Sequence, residues 1–385
     1  MKKILHITFE SPSHFSGGGL GVLQSVKSLQ HIGEVTYCGP NIASDCKYLI
    51  DGYEKCLYLN LDSVLGKLIA LLKLVPNSFY HSWEIEKKNI NIHDFDIVYI
   101  DFSRHGHIVK WAKHNGKKVW VRLHNIEHDY YWNAVKNSFS VFKLIKYLMI
   151  RRQENLVIKY ADTLLFITEN DLERAKKLYG KRLESKNLVI LPICLERRDC
   201  LDVQKSSTCK YALITGSLWY EQNNKGIIWF INNVWDDVAS KFNDFYLVIA
   251  GKAPNESLKR EIHKHAAVKL IDSPQDMMPW FSNATLYIAP IFDGAGMKVK
   301  IAEALSYGLP IIGTNHAFIG YKPNRSCIYA DSKREFIEAI ANYLDSHEGS
   351  SSNFKHIAYE TFISSYSYES SYYMFEELVR KHDNA

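Results

Sequence analysis

At 385 residues, with 46% hydrophobic and 23% charged residues, the chain is too long for one ordinary core and too apolar for a disordered one, so two domains are expected. A formal net charge of +5 is too small to argue for nucleic acid. Seven cysteines without paired short spacing suggest reduced thiols, and no run reaches the roughly 18 apolar residues of a spanning helix, so a cytoplasmic protein is expected.

In chain order, "KILHIT" reads as a buried first strand, not a signal peptide. It is followed by "SGGGLGVLQSVKSLQHIG", whose Leu20, Leu23, Val26, Leu29 and Ile32 fall at helical spacing. "EVTYCG", "FDIVYID", "KKVWVRL", "TLLFIT" and "LVILPI" continue as short apolar strands separated by helical patterns. A polar stretch near 197–208 reads as a linker. A second series begins at "KYALITGS" and runs through "FYLVIAGK", "AVKLID", "ATLYIAP", "GLPIIGT" and "CIYADS" to the helical "REFIEAIANYLD". The end, "SYESSYYMFEELVRK", reads as an amphipathic helix. The pattern predicts two open α/β domains with parallel sheets, residues 1–196 and 209–362, and a C-terminal helix (363–385) packing back toward the first domain.

Three glycine turns fall just after strands, where ligands of such sheets bind: "SGGGLG" (16–21), "GSLWYEQNNKG" (216–226) and "FDGAGMKVK" (292–300). The last leads from a strand into a helix that stops at Gly308, and so offers backbone N–H groups, a helix amino end and two lysines to an anion. None fits a phosphate loop with G-K-[ST] or the G-x-G-x-x-G dinucleotide spacing.

With those words in that order, the chain resembles the retaining glycosyltransferases of the two-Rossmann-domain (GT-B) kind, family 4 group, bacterial surface-polysaccharide branch. "GGGLGVLQSVKSL", "RLHNIEHDYY", "FITEND", "GSLWYEQNNKG", "LVIAGKAP" and, most specifically, "APIFDGAGMKVKIAEALSYGLPIIGT" carry the resemblance. It implies two domains facing each other across a cleft, and metal-free transfer of a sugar from a nucleotide diphosphate sugar. A UDP-sugar is expected in preference to a GDP-sugar, with no further cofactor. The acceptor would be a hydroxyl of a glycan or polyprenyl-diphosphate-linked oligosaccharide, in capsule, O-antigen or related surface-polysaccharide synthesis.

Residue by residue, Glu303 matches the second of two family glutamates and is expected at the donor ribose. Ala295 stands where the first is usual, and Ile319 where another acid is usual, so donor contacts there pass to backbone amides or Asp293. Gly294, Gly296 and Met297 complete this loop, and one of Lys298 and Lys300 is expected to face the diphosphate, because the two would point about 200° apart on a helix. Gly18, Gly19 and Gly216 would allow close approach of substrate; His124 is expected against the sugar, and Lys225 near the diphosphate. Each has an ordinary alternative: turn glycines, solvated lysines, a helix-stabilising Glu. "HNIEH" also spells the H-x-x-E-H metal pattern, but His124 directly follows a strand pattern, so no metal is expected.

Residues 136–159 carry six basic residues against one acid, Glu154. Phe139, Phe142, Ile145 and Met149 near one helical face, with Lys136, Lys143, Lys146 and Arg151 around it, suit reversible contact with an anionic leaflet, placing the protein at the inner face of the plasma membrane. A core helix with solvated lysines fits equally well. Two other functions stay open, a nucleotide-sugar epimerase of the same architecture and a catalytically decayed sugar-nucleotide-binding protein.

Overall fold

A computed structural model of the chain describes residues 1–13, 17–42, 47–59 apart from 49, three single positions between 64 and 70, 90–197, 210–294, 296–345 and 348–383. The chain divides into two compact units, Met1–Ile193 with Ser371–Ala385, and Cys194–Ser370. Each is built on one parallel sheet.

The first unit has seven strands: β1 (Lys2–Ile7), β2 (Gly33–Pro40), β3 (Lys55–Leu59), β4 (Ile97–Asp101), β5 (Lys118–Leu123), β6 (Thr163–Phe166) and β7 (Asn187–Ile190), in the order β3-β2-β1-β4-β5-β6-β7. All neighbours are parallel. Helices α1 (Gly17–Ile32), α2 (Gly106–His114), α3 (Glu127–Asn137), α4 (Val141–Tyr160) and α5 (Glu169–Tyr179) accompany them. Strands β4 and β6 are buried along their whole length, because both faces of the sheet are covered. Leu5, Val98, Val121 and Leu164 pack on one face; Ile4, Ile97, Trp120 and Leu165 pack on the other.

The second unit holds β8 (Lys210–Ser217), β9 (Phe245–Lys252), β10 (Val268–Asp272), β11 (Leu286–Ala289), β12 (Ile311–Gly313) and β13 (Cys327–Tyr329), in the order β10-β9-β8-β11-β12-β13. Its helices are α6 (Glu221–Phe230), α7 (Asp236–Lys241), α8 (Glu256–Ile262), α9 (Met278–Asn283), α10 (Val299–Ser306), α11 (Lys333–Asp345) and α12 (Glu348–Ser365). Helix α10 ends as its sequence predicts: Gly308 takes φ +65°, and its N–H reaches Leu305 O at 2.9 Å.

The last helix, α13 (Tyr368–Asp383), contributes its residues from Ser371 onward to the first unit. Phe375 and Leu378 join Ile4, Leu29, Val35 and Tyr99 in one core, and Gln24 Nε2 donates to Ser371 Oγ at 3.1 Å. No helix among the described residues is long and apolar enough to cross a membrane.

The structure departs from the sequence reading at two places in the first unit. Strand β3 carries no strong strand signal, since it lies at the sheet edge and only Leu59 of it is fully buried. The basic apolar segment is not one helix. Residues Ser138–Ser140 separate α3 from α4, leaving Lys136 on one helix, Phe139 between the two, and Phe142, Ile145 and Met149 on the other. The two helices are tied together at the far end: Glu154 of α4 accepts from the N–H groups of Glu127 and His128 at 3.0 and 2.9 Å, capping the amino end of α3.

Candidate active site

Strand order reverses between β1 and β4 in the first sheet and between β8 and β11 in the second. In open α/β sheets ligands gather outside the carboxyl ends of strands at such points, because the flanking connections leave in opposite directions there. Both positions hold groups of interacting polar side chains.

In the second unit, β11 runs into a loop whose glycines take conformations closed to most residues: Gly294 has φ +104° and Gly296 φ +73°. The loop carbonyls turn inward, and Lys298 Nζ donates to Gly294 O and Gly296 O, both at 2.7 Å. His316 Nε2 lies 2.7 Å from Gly294 O, and Asp293 Oδ1 accepts from Gly294 N at 2.6 Å. Lys300 Nζ donates to Asn223 Oδ1 at 3.1 Å. It also lies 3.3 Å from the place a Cβ would occupy at Gly216, at the end of β8. A pocket lined by Thr215, Gln222, Asn223, Tyr287 and Lys300 opens here.

Lys298 is not on the helix. It is the N-cap of α10, with φ −92° and ψ 95°, so the 200° argument fails and both ammonium groups serve the same loop region. Burial pushes each down to about 8; for Lys300 the positive charge of Lys298 adds to the effect and Glu303 opposes it. Two partly dehydrated cations, whose lowered proton affinity Asp293 and Glu303 only partly offset, favour an anion beside them.

The other predicted residues of this unit lie as follows. Glu303 is half-buried on the second turn of α10, and Met297 packs against the core beside that helix. Ala295 lies outside the described residues. Lys225 stands apart at the surface of α6, 73% exposed and paired with Glu221 at 3.1 Å. Asn223, two residues earlier and unremarked in the sequence, is the one that reaches Lys300.

In the first unit, Gly18 and Gly19 form the first turn of α1, and the Glu10 carboxylate fills the space a Cβ on Gly18 would need. His124 follows β5 directly and is off helix α3, so "HNIEH" does not form a helical metal motif. Its ring stacks on Phe102 at 4.0 Å; Phe102 itself takes φ +73°, a strained value for a non-glycine residue. His124 Nε2 lies 2.9 Å from Asp101 Oδ1, and His6 Nε2 lies 2.8 Å from Oδ2. An ionised carboxylate only accepts, so both rings donate. Burial alone would raise the Asp101 carboxyl, but the bonds from His124 and His6 hold it well below the usual range. Ser25 Oγ gives Asp101 a third bond at 3.1 Å.

Beside this group lies a second buried carboxyl, the acid of "HNIEH". Glu127 is 3% exposed, and its side chain makes no hydrogen bond among the described residues. Burial pushes it up from 4.5 to about 7, against the pull of Arg104 and with the push of Glu154. An acid raised in the folded state costs stability as pH climbs from its unfolded value through its folded one. Glu127→Gln is therefore expected to leave stability unchanged near pH 4, where both states are protonated, and to raise it by up to about 3 kcal/mol above pH 7. Chemical denaturation at the two pH values checks this; equal gains at both would mean the carboxyl is not raised.

Residues 209–346, the second sheet and its loops, match the family model described as Glycosyl transferases group 1. The chain carries a group 1 glycosyl transferase domain. Over 94% of its length it is 27% identical to an uncharacterized 44.6 kDa protein of the Klebsiella pneumoniae cps region, covering 95% of that protein. The whole fold is similar to Anabaena HepE, crystallised in complex with UDP-glucose, at TM-score 0.65 and 13% identity, covering 99% of this chain and 100% of that one. It is similar also to a glycosyltransferase from Rickettsia africae, at TM-score 0.64 and 14% identity, covering 99% and 98%. With two parallel-sheet Rossmann-like units, the fold is that of the GT-B glycosyltransferases. Within the glycosyl transferase domain, the loop from Asp293 to Lys300 and the Asn223 helix both fall inside the matched residues.

Proposed function

We propose that this glycosyltransferase moves a sugar from a nucleotide diphosphate sugar, a UDP-sugar before a GDP-sugar, to a hydroxyl of a glycan or polyprenyl-diphosphate-linked acceptor. Retention of anomeric configuration, independence of metal, and a role in capsule or other surface-polysaccharide synthesis are part of the proposal. The paired ammonium groups of Lys298 and Lys300 beside the glycine loop carry it. A departing nucleoside diphosphate gains negative charge as the glycosidic bond breaks, and two preorganised cations offset it more in the transition state than in the bound donor. Backbone N–H groups of Gly296 and Met297 and the amino end of α10 act in the same sense. In this assignment Glu303 accepts the ribose hydroxyls, and Gly216 leaves room for the Lys300 ammonium. Gly18 and Gly19 keep the amino end of α1 free of side chains of its own, so that substrate can approach once the Glu10 carboxylate over Gly18 moves aside, and His124 meets the sugar. Lys225, at the surface, adds long-range attraction only. The UDP-glucose bound by HepE and the cps-region setting of the Klebsiella relative support donor and pathway class.

Calorimetric titration with UDP and with GDP, each in EDTA, tests the donor. UDP is expected to bind and to release heat that does not depend on added Mn²⁺. Preference for GDP would overturn the base assignment, and binding restored only by Mn²⁺ would overturn metal independence.

The membrane part of the proposal rests on α4. Its first turns leave Val141, Phe142, Ile145 and Leu148 exposed, with Phe139 just before them and Lys143, Lys146 and Arg151 around them. Each basic residue near an anionic surface contributes about 1 kcal/mol, so the triple change Lys143→Glu, Lys146→Glu, Arg151→Glu should lower co-sedimentation with phosphatidylglycerol vesicles by at least about a hundredfold in partition coefficient. UDP binding should not change. Equal sedimentation of both proteins would remove α4 as a membrane contact.

A further inference from the structure

Asp101 has no task in the scheme so far, yet its carboxylate accepts three hydrogen bonds at the switch point of the first sheet. It is fully buried, and it joins His6 on β1, Ser25 on α1 and His124 after β5. His6 is locked from behind, with Tyr53 OH 2.9 Å from its Nδ1. Ser25 is locked too, by Tyr99 OH at 3.0 Å and by the Arg122 guanidinium at 3.2 Å. Asp101 thus has one orientation available, and one of its oxygens is aimed at His124.

The other edge of the His124 ring lies over α1. A Cβ built on Gly21 would come within 2.4 Å of Cε1 and 2.8 Å of Nδ1, so the ring can sit there only because Gly21 has no side chain. Nδ1 has no hydrogen-bond partner among the described residues. A half-turn of the ring about its Cβ–Cγ bond would keep the Phe102 stack but put Cε1 against Asp101 and lose the 2.9 Å bond, so Nε2 stays on the carboxylate.

We propose that Asp101 is a positioning residue for His124: it keeps the ring hydrogen on Nε2, so that Nδ1, held over Gly21 at the start of α1, is a fixed acceptor for a hydroxyl of the transferred sugar. This rests on the glycosyl-transfer reading. The ring is kept neutral for the purpose. Burial lowers its proton affinity and the Arg122 charge lowers it further, while Asp101 and, more distantly, Glu10 pull the other way. A neutral ring with its hydrogen fixed on one nitrogen accepts at the other; a charged ring would donate at both.

Two measurements on the full chain test the claim. In protein labelled with ¹⁵N-histidine, the two-bond ¹H–¹⁵N spectrum of His124, assigned by its loss in His124→Asn, is expected to show hydrogen on Nε2 and none on Nδ1 at pH 7. Asp101→Asn should move hydrogen onto Nδ1, because its amide can face the ring as a donor. Hydrogen on Nδ1 in the unaltered protein would overturn the proposal. The second measurement compares His124→Asn, whose amide falls near Nδ1, with His124→Gln, whose amide falls near Nε2. UDP release from UDP-glucose, UDP-galactose and UDP-N-acetylglucosamine should fall less than about tenfold in the first and about a hundredfold in the second, with UDP affinity unchanged in both. Equal losses, or the reverse order, would overturn the role of Nδ1. Failure of the unaltered protein to turn over any nucleotide sugar would count against glycosyl transfer itself, whereas the ring spectrum decides the Asp101 claim alone.

Discussion

Lys300→Met is expected to weaken UDP binding by about 10- to 150-fold and, at the same time, to raise the melting temperature of the ligand-free protein. Both effects follow from one observation. The Lys300 ammonium is pressed between Asn223 Oδ1 and the bare backbone of Gly216, and its proton affinity is pushed down to about 8 by burial and by Lys298. At pH 7 the folded protein therefore holds a charge in a place that disfavours it, and a methionine of similar length removes that cost. The same charge is what a diphosphate meets, and a charge-assisted hydrogen bond lost from such a site costs roughly 1.5–3 kcal/mol, or about 10- to 150-fold in affinity. The pH dependence has a definite sign. Above pH 8 the empty protein loses the proton and UDP affinity falls; between about pH 8 and 10 UDP binding takes up protons, because the diphosphate draws the lysines back toward their ordinary value. Isothermal titration in two buffers of different ionisation heat reads that uptake. A variant that binds UDP normally, or one that melts lower without ligand, would show that Lys300 is an ordinary structural lysine. Lys298→Met should show the same pattern more weakly, since its ammonium is already engaged by two carbonyls of its own loop.

Arg122→Ala is expected to destabilise the first unit by about 3–5 kcal/mol, the range for removing one member of a buried charged network. Arg122 is fully buried near the carboxyl end of β5. Its guanidinium donates to Gly21 O at 2.7 Å, Gln24 Oε1 at 2.7 Å, Ser25 Oγ at 3.2 Å and Pro192 O at 3.4 Å. One side chain thereby ties three successive contacts of α1 and the segment after β7 to the middle of the sheet. Alanine would leave those acceptors in a dry interior, and the Asp101 carboxylate would lose a nearby positive charge. Lysine is expected to recover less than half the loss, because a single ammonium cannot span the fork from Gly21 to Pro192. Calorimetry that resolves the two units checks this. A loss under about 1 kcal/mol would mean that water replaces the guanidinium, contrary to its sealed position.

Most of the fold is legible in the sequence for a simple reason. Strands buried on both faces must be apolar throughout, so "FDIVYID" and "TLLFIT" announce themselves, and the helices between them leave parallel pairing as the economical connection. Strand β3 escapes the same test because an edge strand with one fully buried residue needs no such run. The glycine loop was legible too, since positive φ at Gly294 and Gly296 is a demand that glycine alone meets cheaply.

What the sequence could not settle is where side chains meet. Lys298 and Lys300 looked opposed on a helix, but the loop conformation holds Lys298 at the N-cap, and helix starts are fixed by capping geometry that periodicity does not carry. Lys225 and Asn223 are equally polar neighbours in "EQNNKG"; only the direction in which α6 leaves β8 decides that Asn223 reaches Lys300 and Lys225 reaches water. Asp101 is one more acid at the end of a strand until β1 and α1, 95 and 76 residues away, bring His6 and Ser25 to it. By itself the sequence determined the two parallel sheets and the glycine loop, because burial and backbone conformation act on each residue locally. The tertiary structure alone decided the lysine pair, the His6–Asp101–His124 bridge and the raised Glu127, because charge and hydrogen bonding act between residues that only folding makes neighbours.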